Sequence, residues 1–163
     1  MLPVDKLAHQ LKEFIKPYPQ SWEDDEKWQK VVAISKDRLT RLSDIKEAAK
    51  LFYTCRWEGV SAGSSELDDL RYKGTQAWES ARRHLLYLKN LFAGMNESAW
   101  TRRELETAVM PYADQNGRGD VLWPLRVALS GEKQSPGQFE IAEILGKSET
   151  MRRLDIVIAN LPS

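Results

Sequence analysis

The chain has 163 residues, enough for one domain or two small ones, and 42% of them are hydrophobic, enough for a core that buries about 70% of the unfolded surface. Its 24 basic and 24 acidic residues balance to a formal charge of zero, which excludes a generic nucleic-acid coat driven by phosphate neutralisation. No apolar run approaches the roughly 20 residues of a membrane span, no signal-peptide layout opens the sequence, and the single cysteine, Cys55, allows no internal disulfide, so a reducing cytoplasm is expected.

In chain order, the apolar spacing predicts helix almost throughout. Leu7, Leu11, Phe14 and Ile15 form one face of a helix from Val4 to Lys16, closed by Pro17. Ser21 suits the N-cap of a second helix that turns Trp28, Val31, Val32 and Ile34 inward and fades near Leu39. Ser43 caps a third through Ile45, Ala48, Ala49 and Phe52. Tyr53 to Gly74 shows no sustained period and carries Gly59, Ser61, Gly63, Ser64 and Ser65, so a long loop and a boundary between two lobes are expected there. A strong helix then carries Trp78, Ala81, Leu85, Leu88 and Leu91, capped by Thr75 and ended by Gly94.

Thr101 to Glu104 has the spacing of a capping box, followed by Leu105, Val109 and Met110, with Pro111 expected to truncate or kink that helix. Asn116-Gly117 marks a turn over 115–120, and Pro124 falls in the first turn of a helix from Val121 to Leu129. Ser135-Pro136-Gly137 reads as an N-cap with proline at the first helical position; Gly146 ends that helix and Ser148 starts the last one. No strand pattern emerges. The expected fold is all-α: a bundle or cage of about seven or eight helices in two lobes, residues 1–74 and 75–163, or one continuous domain over 1–163.

Chemistry-bearing constellations are missing. His9 and His84 lie within predicted helices without a carboxylate or cysteine partner in sequence and read as surface or half-buried imidazoles. One cysteine cannot build a zinc site, and nothing in the neighbourhood of Cys55 beyond Arg56 suggests activation. Gly59 to Gly63 lacks the lysine and the preceding strand of a phosphate-binding loop. Trp28 and Trp78 read as core, whereas Trp123 is open between core filling and base stacking. No catalytic residue and no metal ligand is assigned.

The decisive stretch runs from Val121 to Leu154. It holds Trp123-Pro124-Leu125-Arg126-Val127-Ala128-Leu129-Ser130-Gly131, Ser135-Pro136-Gly137-Gln138-Phe139-Glu140, Leu145-Gly146-Lys147 and Met151-Arg152-Arg153-Leu154. This ordered set is similar to the C-terminal, anticodon-binding region of bacterial-type glutamyl-tRNA synthetases, and Asp37-Arg38-Leu39-Thr40-Arg41-Leu42 also fits that family. The resemblance implies a helical cage for the splayed anticodon loop of tRNA(Glu). It also implies a catalytic half elsewhere, since the His-Ile-Gly-His-type and Lys-Met-Ser-Lys-Ser-type signatures are not in this sequence, so the chain is expected to be a fragment of a glutamate–tRNA ligase, with a stand-alone relative as the alternative. The domain would need no cofactor, ATP and Mg belonging to the catalytic half, and would act as a monomer.

The resemblance places RNA contacts at Arg38, Arg126, Ser135, Pro136, Gly137 and Gln138, with Arg41, Trp123 and Lys147 as further candidates. Arg38 would read the third anticodon base: cytosine offers acceptors to a guanidinium that only donates, whereas guanine opposes it with donors and leaves them unpaired. That favours rejection of tRNA(Gln). Arg38 otherwise serves as the cation ending a helix, and Arg41 is its rival. Arg126 would meet the first base or a phosphate, or form an internal salt bridge. Ser135, Pro136 and Gly137 would meet the middle base at a helix start, or serve only as a cap. The reading from another class is a helical protein–protein interaction module sharing the fold, which an exposed apolar groove would favour over a basic concave face around Arg38, Arg126 and Lys147.

Overall fold

The computed structural model describes residues 2–163, and among them every regular element is helical. They form seven α-helices: α1 (Val4–Phe14), α2 (Asp25–Ser35), α3 (Asp44–Tyr53), α4 (Trp78–Ala93), α5 (Arg102–Asn116), α6 (Arg118–Ser130) and α7 (Gln138–Asn160), the last broken at Gly146, where φ is +80°. None is long and apolar enough to cross a membrane.

Two compact units divide between Thr54 and Cys55. The first holds α1 to α3. Its core is Ala8, Leu11, Ile15, Trp28, Val31, Val32, Ile45, Ala49 and Phe52, and the Trp28 indole N–H donates to the Ala8 carbonyl at 2.8 Å. Trp22 stacks between Trp28 and Tyr53, at 5.7 and 5.0 Å between ring centroids. Asp24, not Ser21, caps α2, its carboxylate accepting from the Lys27 N–H, while Ser21 falls within a 3-10 turn. Phe14, expected inward, is 60% exposed because α1 ends there and only Ile15 turns back into the core.

The second unit contains α4 to α7 and also the stretch read as a loop. Residues 55–74 are packed: Trp57, Leu67 and Leu70 are fully buried, and two 3-10 turns (Ser65–Leu70 and Tyr72–Gly74) lie against α6. The boundary therefore falls twenty residues before the expected position at 74. Buried aromatic and leucine side chains at irregular spacing outweigh the glycines and serines around them.

Prolines behave differently from expectation. Pro111 sits inside α5 without ending it; it is exposed, as is Thr107, whose carbonyl loses its helical donor and faces water instead. Pro124 is in the second turn of α6 because that helix starts at Arg118, straight after a Gly117 with φ of +93°. Its missing N–H orphans the Asp120 carbonyl, and the Gln76 side-chain amide fills the gap, donating at 2.8 Å. Gln76 also accepts from the Tyr72 N–H at 3.1 Å, so one buried amide ties α4's entry, a 3-10 turn and α6 together.

Thr101 caps α5 as read from the sequence, accepting from the Glu104 N–H at 3.3 Å. His84, expected as a surface or half-buried imidazole, is 1% exposed; its Nδ1 lies 2.8 Å from the Tyr112 hydroxyl, and burial lowers its pKa below the ordinary histidine value.

Gln76→Leu should destabilise the chain by about 1–3 kcal/mol in urea unfolding, since it leaves the part-buried Asp120 carbonyl unpaired. Adding Pro124→Ala, which restores a backbone donor to that carbonyl, should recover part of the loss.

Candidate nucleic-acid interface

The predicted contact residues separate into four environments. Arg38 closes the 3-10 turn Lys36–Arg38 that follows α2, and its guanidinium is exposed with no hydrogen bond or ion pair among the described residues. Arg41 is also exposed; its backbone N–H donates to the Asp44 carboxylate at 2.9 Å, which fixes the turn leading into α3, while Ser43 holds the N-cap position without a side-chain cap bond. Both arginines thus stand on one solvent-facing turn of the first unit.

In the second unit, α7 starts two residues later than the sequence suggested. Its N-cap is Gly137, and no side chain caps it. Ser135 is buried and spends its hydroxyl on the Pro136 carbonyl at 2.9 Å, so it is not the cap; Pro136 is buried beside it. The amides of the first turn of α7 open on a groove of about 320 Å³ lined by Gly137, Gln138, Phe139, Arg102, Arg118 and Leu122 among others. Uncapped N–H groups at a helix start, flanked by two arginines, suit acceptor atoms of a base or phosphate. Arg118 is held by Asp114 at 2.6 Å, and Arg102 lies 3.8 Å from Glu140, so the groove is close to charge-balanced.

Arg126 and Trp123 come together next to it. The Arg126 guanidinium stacks on the Trp123 ring at 4.9 Å and donates to the Lys133 carbonyl at 2.9 Å, closing the loop between α6 and α7. The Trp123 indole N–H donates to the Asp69 carbonyl at 2.9 Å. Trp123 is therefore fixed at its edge while part of its ring stays open.

Lys147 is held elsewhere. Its ammonium donates to the Ala93 and Met95 carbonyls at 3.1 and 2.6 Å, capping the end of α4. Arg152 and Arg153, in the last motif block, turn to the fold as well. Arg153 is 2% exposed and donates to the Leu129 carbonyl at 2.6 Å, and both arginines clamp Glu149 at 2.8–2.9 Å. Donation from Arg152, aided by Arg153 and opposed by burial, pulls the Glu149 pKa down to about 2. Sequence reasoning missed Arg102 and Arg118 as groove residues; their only signal is a position in the first turn of α5 and of α6, which becomes visible once the α7 start is placed at Gly137.

With this geometry in view, comparison with known proteins is specific. A family model described as an anticodon binding domain matches residues 6–158. The glutamate–tRNA ligase of Thermus thermophilus is 27% identical over 162 residues, which is 98% of this chain and 32% of that protein. That of Clostridium acetobutylicum is 46% identical over 69 residues, 40% of this chain and 14% of that protein. A crystal structure of a glutamate tRNA ligase from Elizabethkingia meningosepticum in complex with its amino acid shares the fold with a TM-score of 0.74 at 20% identity, covering 99% of this chain and 30% of that one. The glutamate-tRNA synthetase of Elizabethkingia anophelis gives 0.71 at 18% identity, covering 98% and 29%. The chain spans about a third of the length of the first relatives it matches.

The Glu149 clamp predicts a pH dependence. Its folded pKa lies below the ordinary glutamate value near 4.3, so its contribution to stability is complete above about pH 5 and is lost as pH falls towards 2. Urea midpoints measured across that window should fall more steeply for the native chain than for Glu149→Gln, which should be the weaker of the two at pH 7 and converge with it near pH 2.

Proposed function

The chain belongs to the anticodon-binding domain family, and from that premise we propose that it receives the anticodon loop of tRNA(Glu) on behalf of a glutamate–tRNA ligase. The observation that carries this reading is the family match across residues 6–158, joined to relatives named as glutamate–tRNA ligases that align over nearly the whole chain. The three amino-acid-coded contacts that favour it are the exposed Arg38 turn, the uncapped start of α7 at Gly137 and Gln138, and the Arg126–Trp123 stack.

Each element has a chemical task in this reading. Arg38 has only donors, and with no partner among the described residues its guanidinium is available to a cytosine N3 and O2. A guanine in the same place brings N1–H and N2–H donors against it. The α7 start offers backbone N–H groups, which read acceptors on a base edge without depending on side-chain rotamers. Gln138, half-buried at the groove, adds an amide that both donates and accepts. Arg126, held by its stack on Trp123, places a cation near the α6–α7 loop.

Arg41 stands three residues from Arg38 and shares its exposure, so it is assigned a phosphate of the same loop. Ser135 and Pro136 act indirectly, by fixing the backbone that leads into Gly137. Lys147 is assigned to the fold. The chain takes no cofactor of its own in this account: ATP and Mg belong to the catalytic part of the ligase, to which this monomeric, cytoplasmic domain supplies tRNA selection.

A low-salt titration with a tRNA(Glu) anticodon stem-loop should show binding that weakens about ten- to a hundredfold when the third anticodon base is changed from cytosine to guanine. Arg38→Gln, whose amide can pair with either base, should abolish that preference. Equal affinity of the native chain for both loops would remove Arg38 from this role, and no binding to either loop would reject the reading.

A further inference from the structure

A second concavity of the same unit lies apart from the α7 groove. It encloses about 410 Å³, within the range of about 300–1,000 Å³ usual for small-ligand sites, and is lined by Asp68, Asp69, Arg71, Tyr72, Lys73, Gly74, Trp123 and Lys133. Two half-buried aromatic rings, Tyr72 and Trp123, form its walls with centroids 6.2 Å apart and planes tilted by 50°.

Both rings are fixed from behind. Trp123 is held through its indole N–H on the Asp69 carbonyl. Tyr72 lies flat against Gly119 in the first turn of α6: a Cβ there would come within 2.2 Å of the Tyr72 ring, so only glycine admits it. Pre-set aromatic faces cost little ordering when a flat ligand enters.

The charges around the pocket are unequal in their commitments. Asp69 holds Arg56 at 2.9 Å and Lys133 at 3.2 Å, and Asp68 lies 3.7 Å from Arg71, so each carboxylate is answered by a cation. Lys73 has no carboxylate partner among the described residues; its ammonium lies 5.3 Å from the Tyr72 ring centroid and is otherwise exposed. It is also the one non-glycine residue of positive φ among those described, at +55°. A lysine kept where glycine would fit without strain, beside an aromatic wall, marks a site with a use for its charge.

We propose that this pocket holds one unstacked nucleotide of the bound RNA loop outside the three anticodon bases, its base against Tyr72 and Trp123 and its phosphate on Lys73; this rests on the anticodon-loop reading. Two planar walls and one uncommitted cation match a base with its phosphate better than an acidic peptide, which offers carboxylates but no flat face. The contact is indifferent to base identity, because every base has a π-face and no side-chain amide lines the cavity. Its effect is to add affinity and fix the register of the loop, leaving discrimination to the groups that read base edges.

The test uses the native chain, Lys73→Asn, which the left-handed backbone accepts, and Tyr72→Leu, all titrated with the tRNA(Glu) stem-loop over a range of salt. Lys73→Asn should melt at an unchanged or higher temperature, bind more weakly, and lower the slope of log affinity against log salt by about one. Tyr72→Leu should weaken binding about tenfold, equally for loops with cytosine or guanine at the third anticodon position. An abasic substitution at one flanking loop position should cost the native chain as much and cost Tyr72→Leu nothing further. If the native chain binds the loop and Lys73→Asn matches it in affinity and salt slope, the pocket is no RNA contact while the anticodon reading stands. If the native chain binds no loop, both fall.

Discussion

The C-terminal end of α6 is buried, and a buried helix end carries carbonyls that its own helix cannot satisfy. Nearly everything in the second unit answers to that constraint. Val127 O receives the Gly131 N–H at 2.7 Å, and Arg126 O the Ser130 hydroxyl at 2.7 Å. Ala128 O takes the Trp57 indole at 2.9 Å, Leu129 O the Arg153 guanidinium at 2.6 Å, and Gly131 O the Arg56 guanidinium at 2.8 Å. Gly131 itself must be glycine twice over: its φ is +71°, and a Cβ would lie 2.7 Å from that of Arg56. Three donors from two distant parts of the chain, Arg56 with Trp57 and Arg153, converge on Ala128, Leu129 and Gly131, which locks 56–57 and 153 to the same helix end. Each bond is worth about 1 kcal/mol net, but each loss leaves a buried acceptor bare, at about 1–3 kcal/mol.

That arrangement divides the basic residues into two populations. Arg56, Arg82, Lys147, Arg152 and Arg153 are committed to carbonyls or carboxylates of the fold. Arg38 and Arg41 stand on an exposed turn, and Lys73 on a strained one. A chain of zero net charge thus has no general attraction for phosphate, yet keeps a few cations where a folded RNA loop can reach them. Such a surface favours reading over coating. The motif blocks that relate the chain to its family serve both purposes: Leu129, Ser130, Gly131 and Arg153 build the buried helix end, whereas Gly137 and Gln138 open the groove.

Elements with a single strong period were legible from the sequence: α2 to α4, the Thr101 cap, and the breaks at Gly117 and Gly146 all rest on local geometry that residue type dictates. The core at Trp28, Leu85 and Leu105 follows from the same spacing. What could not be read depends on tertiary partners. Residues 55–74 look like a loop because their apolar side chains follow the surface of α6 and not a helical period. Ser135 looks like a cap because its type and position are right; its burial, which turns its hydroxyl onto Pro136, is not visible locally. Lys147 looks available until the end of α4 arrives beside it. Pro111 looks like a breaker, but an exposed proline costs a helix less when water can take the orphaned carbonyl.

Backbone amide chemical shifts recorded during titration with the tRNA(Glu) stem-loop test most directly whether the loop is read at the Arg38 turn of the first unit and at the start of α7 in the second. The largest changes are expected at Gly137, Gln138 and Phe139 and at Lys36, Asp37 and Arg38, with the amides of Ala128 to Gly131 unmoved because their partners are internal. Changes concentrated instead on the exposed Leu86 and Tyr87 face of α4, or no change at any loop concentration, would contradict that placement.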